Sequence, residues 1–357
     1  MLLLNYIKLL GKIGSGRFPF PGTGNARGLP YKVNFNLTDR CNARCRICHI
    51  WKICREDPGA SAREMSLDEY RRLFRDYGRA LFMASFEGGE PFLREDLSDI
   101  VAACLRECPN CVTVLLDSNG LLPEVIEQKV RAILSLPFDV PVYTAFSLDG
   151  PEAVHDRMRG VPGGYRKLME SVGRLEGIGS RRLKIYFQTT ISAGNWRALL
   201  DFYRELKERV IFTLAHEAPL FRNAGNPEIV DRISGAERAE FYDFLRTLHR
   251  GYRVRGAVDW LNRRYLGLSI RYLERKKTPV PCVAGRDTLI VDPCGNVSPC
   301  SFLGESPGNI REFEFRMRDL VDSPAFRNQV ERIRRGKCPQ CWMNCDALPS
   351  LLHHFPG

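Results

Sequence analysis

Six short apolar runs, each divided from the next by a stretch of helical periodicity, constrain this chain more tightly than any other feature. Residues 31–37, 80–86, 112–116, 142–148, 184–191 and 210–214 read as strands. Between them Leu97, Ile100, Val101, Cys104 and Leu105 recur at i, i+3, i+4, i+7 and i+8, one face of a helix. Residues 67–77 and 165–176 supply further helices, as do a run opened by Pro123 (Ile126, Val130, Ile133, Leu134) and the stripe Leu199, Tyr203, Leu206. Strands alternating with helices pair in parallel, because a parallel neighbour needs a crossover long enough to hold a helix. Crossovers repeated without a change of direction curl the sheet. The expected fold class is therefore α/β, a partial (β/α)6 TIM-like barrel over residues 31–222.

In such sheets the chemistry gathers at the carboxyl ends of the strands. Here those ends carry Asn36 and Thr38, residues 87–90, Ser118 and Asn119, Ser147 and Asp149, Thr190 and Asn195, and finally His216 and Glu217. Polar residues at every end predict a lined cavity, with His216 and Glu217 as candidate base or substrate contacts. Beyond residue 222 the alternation stops. Residues 223–278 read as a basic helical linker, and Pro279 and Pro281 mark a boundary. Residues 279–357 read as short strands, turns and cysteines, with a hairpin of residues 289–291 and 296–298 around Cys294 and Gly295.

The chain is long enough for a large core plus an appendage, and no run approaches the roughly 18 apolar residues of a membrane span. The greasy residues 1–10 lack a preceding basic stretch and a cleavage site, so they are expected to dock as a helix or to touch a membrane peripherally, on a cytoplasmic protein. The net charge of +11 is scattered over arginines without a basic, aromatic-interleaved stripe, so nucleic acid is not an expected partner. Residues 1–30 are taken as an N-terminal extension.

Thirteen cysteines in a chain of this length fall in tight groups, which suits metal sites better than a disulfide framework. Cys41, Cys45 and Cys48 are spaced x3 and x2 on one loop after the first strand. A structural zinc would want a fourth ligand. Three thiolates can instead hold three irons of a four-iron cluster and leave the last open to a substrate.

CxxxCxxC after a first barrel strand resembles the signature of the radical S-adenosylmethionine (SAM) superfamily. The resemblance implies that the open iron chelates the amino and carboxylate groups of SAM. One electron then breaks the sulfonium bond to give a 5′-deoxyadenosyl radical, a chemistry that belongs to the cofactor. Ile47 occupies the position that packs on adenine. Gly88-Gly89-Glu90-Pro91 resembles the loop whose backbone meets the methionine amino group. A side chain at Gly89 is accordingly expected to intrude on SAM while sparing the thiolate loop. Ser118, Asn119, Ser147 and Asp149 match segments that hold ribose and methionine. Arg159, in a segment after the fourth strand, is the expected carboxylate or substrate contact, and Asn195 matches an asparagine after the fifth.

Cys282, Gly295 and Cys300, then Cys338-x2-Cys341-x3-Cys345, are similar to the twitch and SPASM extensions of that family. The resemblance implies one auxiliary four-iron cluster, with Cys282, Cys300, Cys338 and Cys341 as first ligands and Cys345 as a substitute. Cys294 is read as a bystander, Cys104 as a core residue and Trp342 as cluster packing. Cys54, Cys108 and Cys111 fit no metal spacing. The implied function is reductive SAM cleavage and hydrogen abstraction from an organic substrate, small molecule or peptide, with net oxidation or bond formation through the auxiliary cluster. A flavodoxin or ferredoxin would supply the electron. The alternative is a basic zinc-binding nucleic-acid or scaffold protein.

Overall fold

The computed structural model describes residues 28–354, residue 208 excepted. The expectation for residues 1–10 lies outside the described residues. Six parallel strands follow one another in space: β1 (Lys32–Asn36), β2 (Met83–Glu87), β3 (Thr113–Ser118), β4 (Val142–Ser147), β5 (Leu183–Ile191) and β6 (Val210–Leu214). The helices between them are α1 (Leu67–Tyr77), α2 (Leu97–Glu107), α3 (Pro123–Leu134), α4 (Glu152–Arg159), α5 (Gly164–Glu176) and α6 (Trp196–Glu205). Local signals explain their starts. Ser66 caps α1 in a reciprocal capping box with Glu69, and Pro123 opens α3, where its missing N–H costs nothing.

The C-terminal hairpin does more than decorate the barrel. β7 (Thr288–Val291) pairs in parallel with β1, placing Val33 opposite Leu289 and Phe35 opposite Val291. β8 (Asn296–Ser298) and β9 (Gly308–Asn309) continue antiparallel, so the sheet runs β6-β5-β4-β3-β2-β1-β7-β8-β9 and stays open. Helices α7 (Gly235–Gly251) and α8 (Ala257–Arg275) occupy the stretch read as a helical linker. The cysteine-rich end also holds three helices that the turn-rich reading missed: α9 (Met317–Asp322), α10 (Pro324–Arg334) and α11 (Asn344–His353). Their stripes are short, and Pro349 inside α11 reads as a breaker in sequence. α11 bridges the open side of the sheet. Asn344 N donates to Thr213 Oγ1 on β6 (3.3 Å), Lys32 Nζ on β1 donates to the Cys345 carbonyl (3.3 Å), and Thr288 Oγ1 on β7 donates to Asp346 (2.7 Å). Among the described residues no helix is long and apolar enough to cross a membrane.

Strand alternation splits the sheet into two chemically different faces. Val33, Phe35, Ala84, Phe86, Val114 and Leu116 pack into the main core with α1 and α2. The opposite row holds Lys32, Asn34, Asn36, Ser85, Glu87, Leu115, Asp117, Tyr143, Ser147 and Tyr186. There Lys32, Glu87, Leu115, Asp117, Tyr143, Ser147 and Tyr186 keep partial exposure, while Val33, Phe86, Val114, Leu116, Val142, Phe146 and Phe187 on the core side are buried. A polar, partly accessible inner row is what a lined cavity requires.

Candidate cofactor sites

The loop carrying Cys41, Cys45 and Cys48 is fixed by main-chain contacts from several strand ends. Gly89 N donates to Thr38 O (2.7 Å) and Glu90 N to Arg40 O (2.8 Å), which ties the loop to the end of β2. Arg44 N and Arg46 N donate to Arg159 O and Met158 O at 2.9 and 2.8 Å, tying it to the end of α4. Gly160 makes that approach possible: its φ is +64°, and a Cβ there would lie 2.5 Å from the Arg44 carbonyl oxygen. The segment after β6 closes the far side, where Asn223 Nδ2 donates to Ile47 O (3.0 Å) and Asn226 Nδ2 to Arg46 O (2.6 Å).

The three thiols share an apolar pocket with Ala43, Ile47, Leu121 and Val161. Burial, and then the neighbouring Cys45, pushes Cys41 and Cys48 up to about 12, so ligation must release protons that the pocket otherwise retains. Two donors face the sulfurs: Asn119 Nδ2 stands 3.9 Å from Cys41 Sγ and Arg159 Nη1 3.6 Å from Cys45 Sγ. Arg159 also forms a buried ion pair with Asp149 (Nε–Oδ2 2.7 Å). Burial, moderated by its donors, pushes Glu90 up to about 7. The carboxylate accepts from Phe92 N (3.2 Å), Ser118 Oγ (3.1 Å) and Asn119 N (2.8 Å) and so joins the ends of β2 and β3.

The remaining strand-end residues divide. Ser147 is half-buried at the end of β4. The Asn195 amide is fully used within the scaffold: Nδ2 donates to Asp149 O and Thr190 O, and Oδ1 accepts from Ser192 N. Gly89 corrects one expectation. A Cβ there would overlap the Arg40 carbonyl, on the thiolate loop itself, so a side chain strikes the cysteine loop first. His216 is buried against Tyr272 and Phe302, with Nδ1 3.6 Å from Asp231 Oδ2. Glu217 instead faces the surface, paired with Arg232 at 3.1 Å.

The second set is assembled from distant segments. Cys282, Cys300, Cys338 and Cys341 share one apolar cluster with Ala218, Ala284, Phe302 and Ile333. Burial pushes Cys300 up to about 12, and raises Cys282 and Cys341 as well; the carboxylate of Asp346 adds to each. Cys345 stands apart from that cluster, with Sγ 3.8 Å from Asp346 Oδ2. Cys294 sits in the β7–β8 turn, where Arg311 Nη1 donates to its carbonyl. Trp342 stacks on Tyr265 of α8 at 5.4 Å and donates to the Tyr265 carbonyl, so it anchors the cysteine segment to the barrel's helices. Sequence reading missed one grouping: Cys104, Cys108 and Cys111 are buried together, a contact their spacing at the end of α2 makes natural.

Both donor sets are groups of thiols in apolar surroundings, a donor chemistry that suits iron–sulfur clusters.

An open parallel barrel with a three-thiol loop on its first strand end and a polar inner face defines a cofactor-dependent enzyme. The radical SAM superfamily profile matches residues 35–206, and that of the SPASM iron–sulfur cluster-binding domain matches residues 282–346. The chain belongs to the radical SAM superfamily, with a C-terminal SPASM domain. Its cofactors are a [4Fe–4S] cluster with SAM and auxiliary iron–sulfur ligation in the C-terminal domain. It is 28% identical to an AdoMet-dependent heme synthase of Nitratidesulfovibrio vulgaris, over 87% of this chain and 84% of that one. It is also 28% identical to mycofactocin maturase MftC of Mycobacterium tuberculosis, over 88% and 77%. The fold resembles a solved structure of native anSMEcpe with bound AdoMet, with a TM-score of 0.61 at 14% identity, covering 92% of this chain and 97% of that one.

Proposed function

We propose that Cys41, Cys45 and Cys48 hold the SAM-binding cluster, that Cys282, Cys300, Cys338 and Cys341 hold one auxiliary cluster, and that the enzyme oxidises an organic substrate lying on the inner face of the sheet. A cluster held by Cys41, Cys45 and Cys48 would supply the one-electron reductive cleavage of SAM that hydrogen abstraction from the substrate requires. The chain's own residues do the positioning. Ile47 offers an apolar face for adenine. Glu90, held by the ends of β2 and β3, offers its backbone and carboxylate beside the methionine amino group. Asp149, Arg159 and Ser147 line the end of β4, where Arg159 can meet a carboxylate. Asn195 holds the β4 and β5 ends together. Four grouped thiols in the second set allow full ligation, which suits passing an electron better than binding substrate. A flavodoxin or ferredoxin is the proposed reductant, and the substrate is a small molecule or a peptide.

What supports this reading is the convergence on one thiol loop of Glu90, Asn119 and Arg159 from three different strand ends. Anaerobic reconstitution tests it: about eight irons per chain and 5′-deoxyadenosine formed from SAM with a strong reductant are expected. Colourless protein with stoichiometric zinc and no SAM cleavage would overturn it.

A further inference from the structure

The inner face of the sheet carries acceptors that find no donor among the described residues. Asn34 on β1 is only 5% exposed, yet its Oδ1 has no donor. It lies opposite Ser85 in register, one inward position before Glu87 on β2. Asp117 on the neighbouring β3 is hydrogen-bonded to Glu87, so the two carboxyl groups compete for one proton, and Asp117 Oδ1 also lacks a donor. A buried acceptor left without a donor is destabilising, and a ligand with N–H groups relieves that cost.

The surrounding charge favours the same kind of ligand. Asp346 of α11 adds a third carboxyl on this side. Lys32, which also donates to the Cys345 carbonyl, acts on both Glu87 and Asp117 and offsets part of this charge, leaving the carboxyls in excess. Tyr143 and Tyr186 pack edge to face at 6.4 Å on the adjoining strands, and Tyr186 feels both acids. An aromatic wall beside carboxylates suits an organic cation and repels a polycarboxylate.

We propose that the inner face beneath the SAM loops binds a donor-rich cationic group of the substrate, a protonated amine or a guanidinium, between Asn34, Glu87 and Asp117. This rests on the proposed function, because the same face is taken there as the substrate side of the SAM site. It narrows the substrate class to amines and guanidines, whether free or as the side chain of a peptide.

Calorimetric titration of the iron-loaded, SAM-bound enzyme decides it, with agmatine as the free cation, Nα-acetyl-arginine amide as the peptide-like one, and glutarate as the anion. At least one cation should bind, glutarate should not, and the tighter cation identifies the source. Asp117→Asn should weaken the better cation about tenfold, while Asn34→Asp, which adds a carboxylate, should tighten it. Preference for glutarate, binding of none of the three, or equal affinity in wild type and well-folded Asp117→Asn would each overturn the inference. If Asp117→Asn fails to retain iron, the wild-type preference between cation and anion still decides. Deoxyadenosine release by the wild type is measured on the same sample. Its absence counts against the proposed function, whereas release without cation binding counts against this inference alone.

Discussion

The two cysteine sets differ in the charged group that faces them, an arginine at the first and a carboxyl at the second. Around the first, an arginine and an amide point at sulfur: Arg159 Nη1 lies 3.6 Å from Cys45 and Asn119 Nδ2 3.9 Å from Cys41. Around the second, Gln340 Nε2 donates to Cys338 Sγ at 3.4 Å, while a buried carboxyl, Asp346, bears on Cys282, Cys300, Cys341 and Cys345 alike. Donors to sulfur favour the reduced, more negative cluster, and a nearby carboxylate opposes it. The molecule thus places the more easily reduced environment beside the SAM loops and the less easily reduced one across the open side of the barrel. The sets also differ in how they are built. The first rides on one loop locked by neighbouring strand ends, and the second exists only where α11 and the segment after α10 pack back against the sheet.

The largest effect should come from removing the first set. With Cys41, Cys45 and Cys48 all replaced by Ala, deoxyadenosine formation is expected to vanish while about four irons remain in the C-terminal domain. Wild-type cleavage in that variant would sink the assignment. Replacing Cys282 and Cys300 by Ala should remove about four irons but leave some SAM cleavage uncoupled from substrate oxidation. Iron analysis beside deoxyadenosine yield is the measurement, and undiminished iron would show that the tail holds no cluster.

Gly89→Ala probes the lock between loop and strand end. Because its Cβ meets the Arg40 carbonyl, iron occupancy and SAM affinity should fall together, with SAM weakened about tenfold. Full iron with weakened SAM would mean that the glycine serves only the cofactor. Asp346→Asn removes the charge that distinguishes the second set, so the potential of the auxiliary cluster should rise, on the order of tens of millivolts, in a spectroscopic redox titration. An unchanged potential would break the electrostatic contrast. The smallest effect is expected from Cys345→Ser. Its sulfur turns to Asp346 and stays outside the four-thiol group, so iron content should hold, and a loss of auxiliary iron would make Cys345 a ligand.

The strand pattern, the helix over residues 67–77, the helix start at Pro123, and the cysteine loop with Glu90 and Asn119 at the neighbouring strand ends were all legible in the sequence. They are local: periodicity, caps and short spacings act within a few residues, and each strand end lies beside the next in chain order. Tertiary structure decided the rest. Nothing in residues 288–291 announces that they pair with β1, because parallel pairing is a choice among distant edges. Pro349 hid the helix that bridges the open sheet, and that helix carries Cys345 beside Asp346, outside the apolar cluster of the other four thiols. Gly89 was placed against SAM from its motif, but the distance to the Arg40 carbonyl depends on two loops meeting across a strand boundary. The acidic inner face likewise forms only when Asn34, Glu87 and Asp117, far apart in sequence, are brought into neighbouring registers by the parallel sheet. Spacing along the chain fixes which groups share a loop; the curl and closure of the sheet fix which loops and faces share a site.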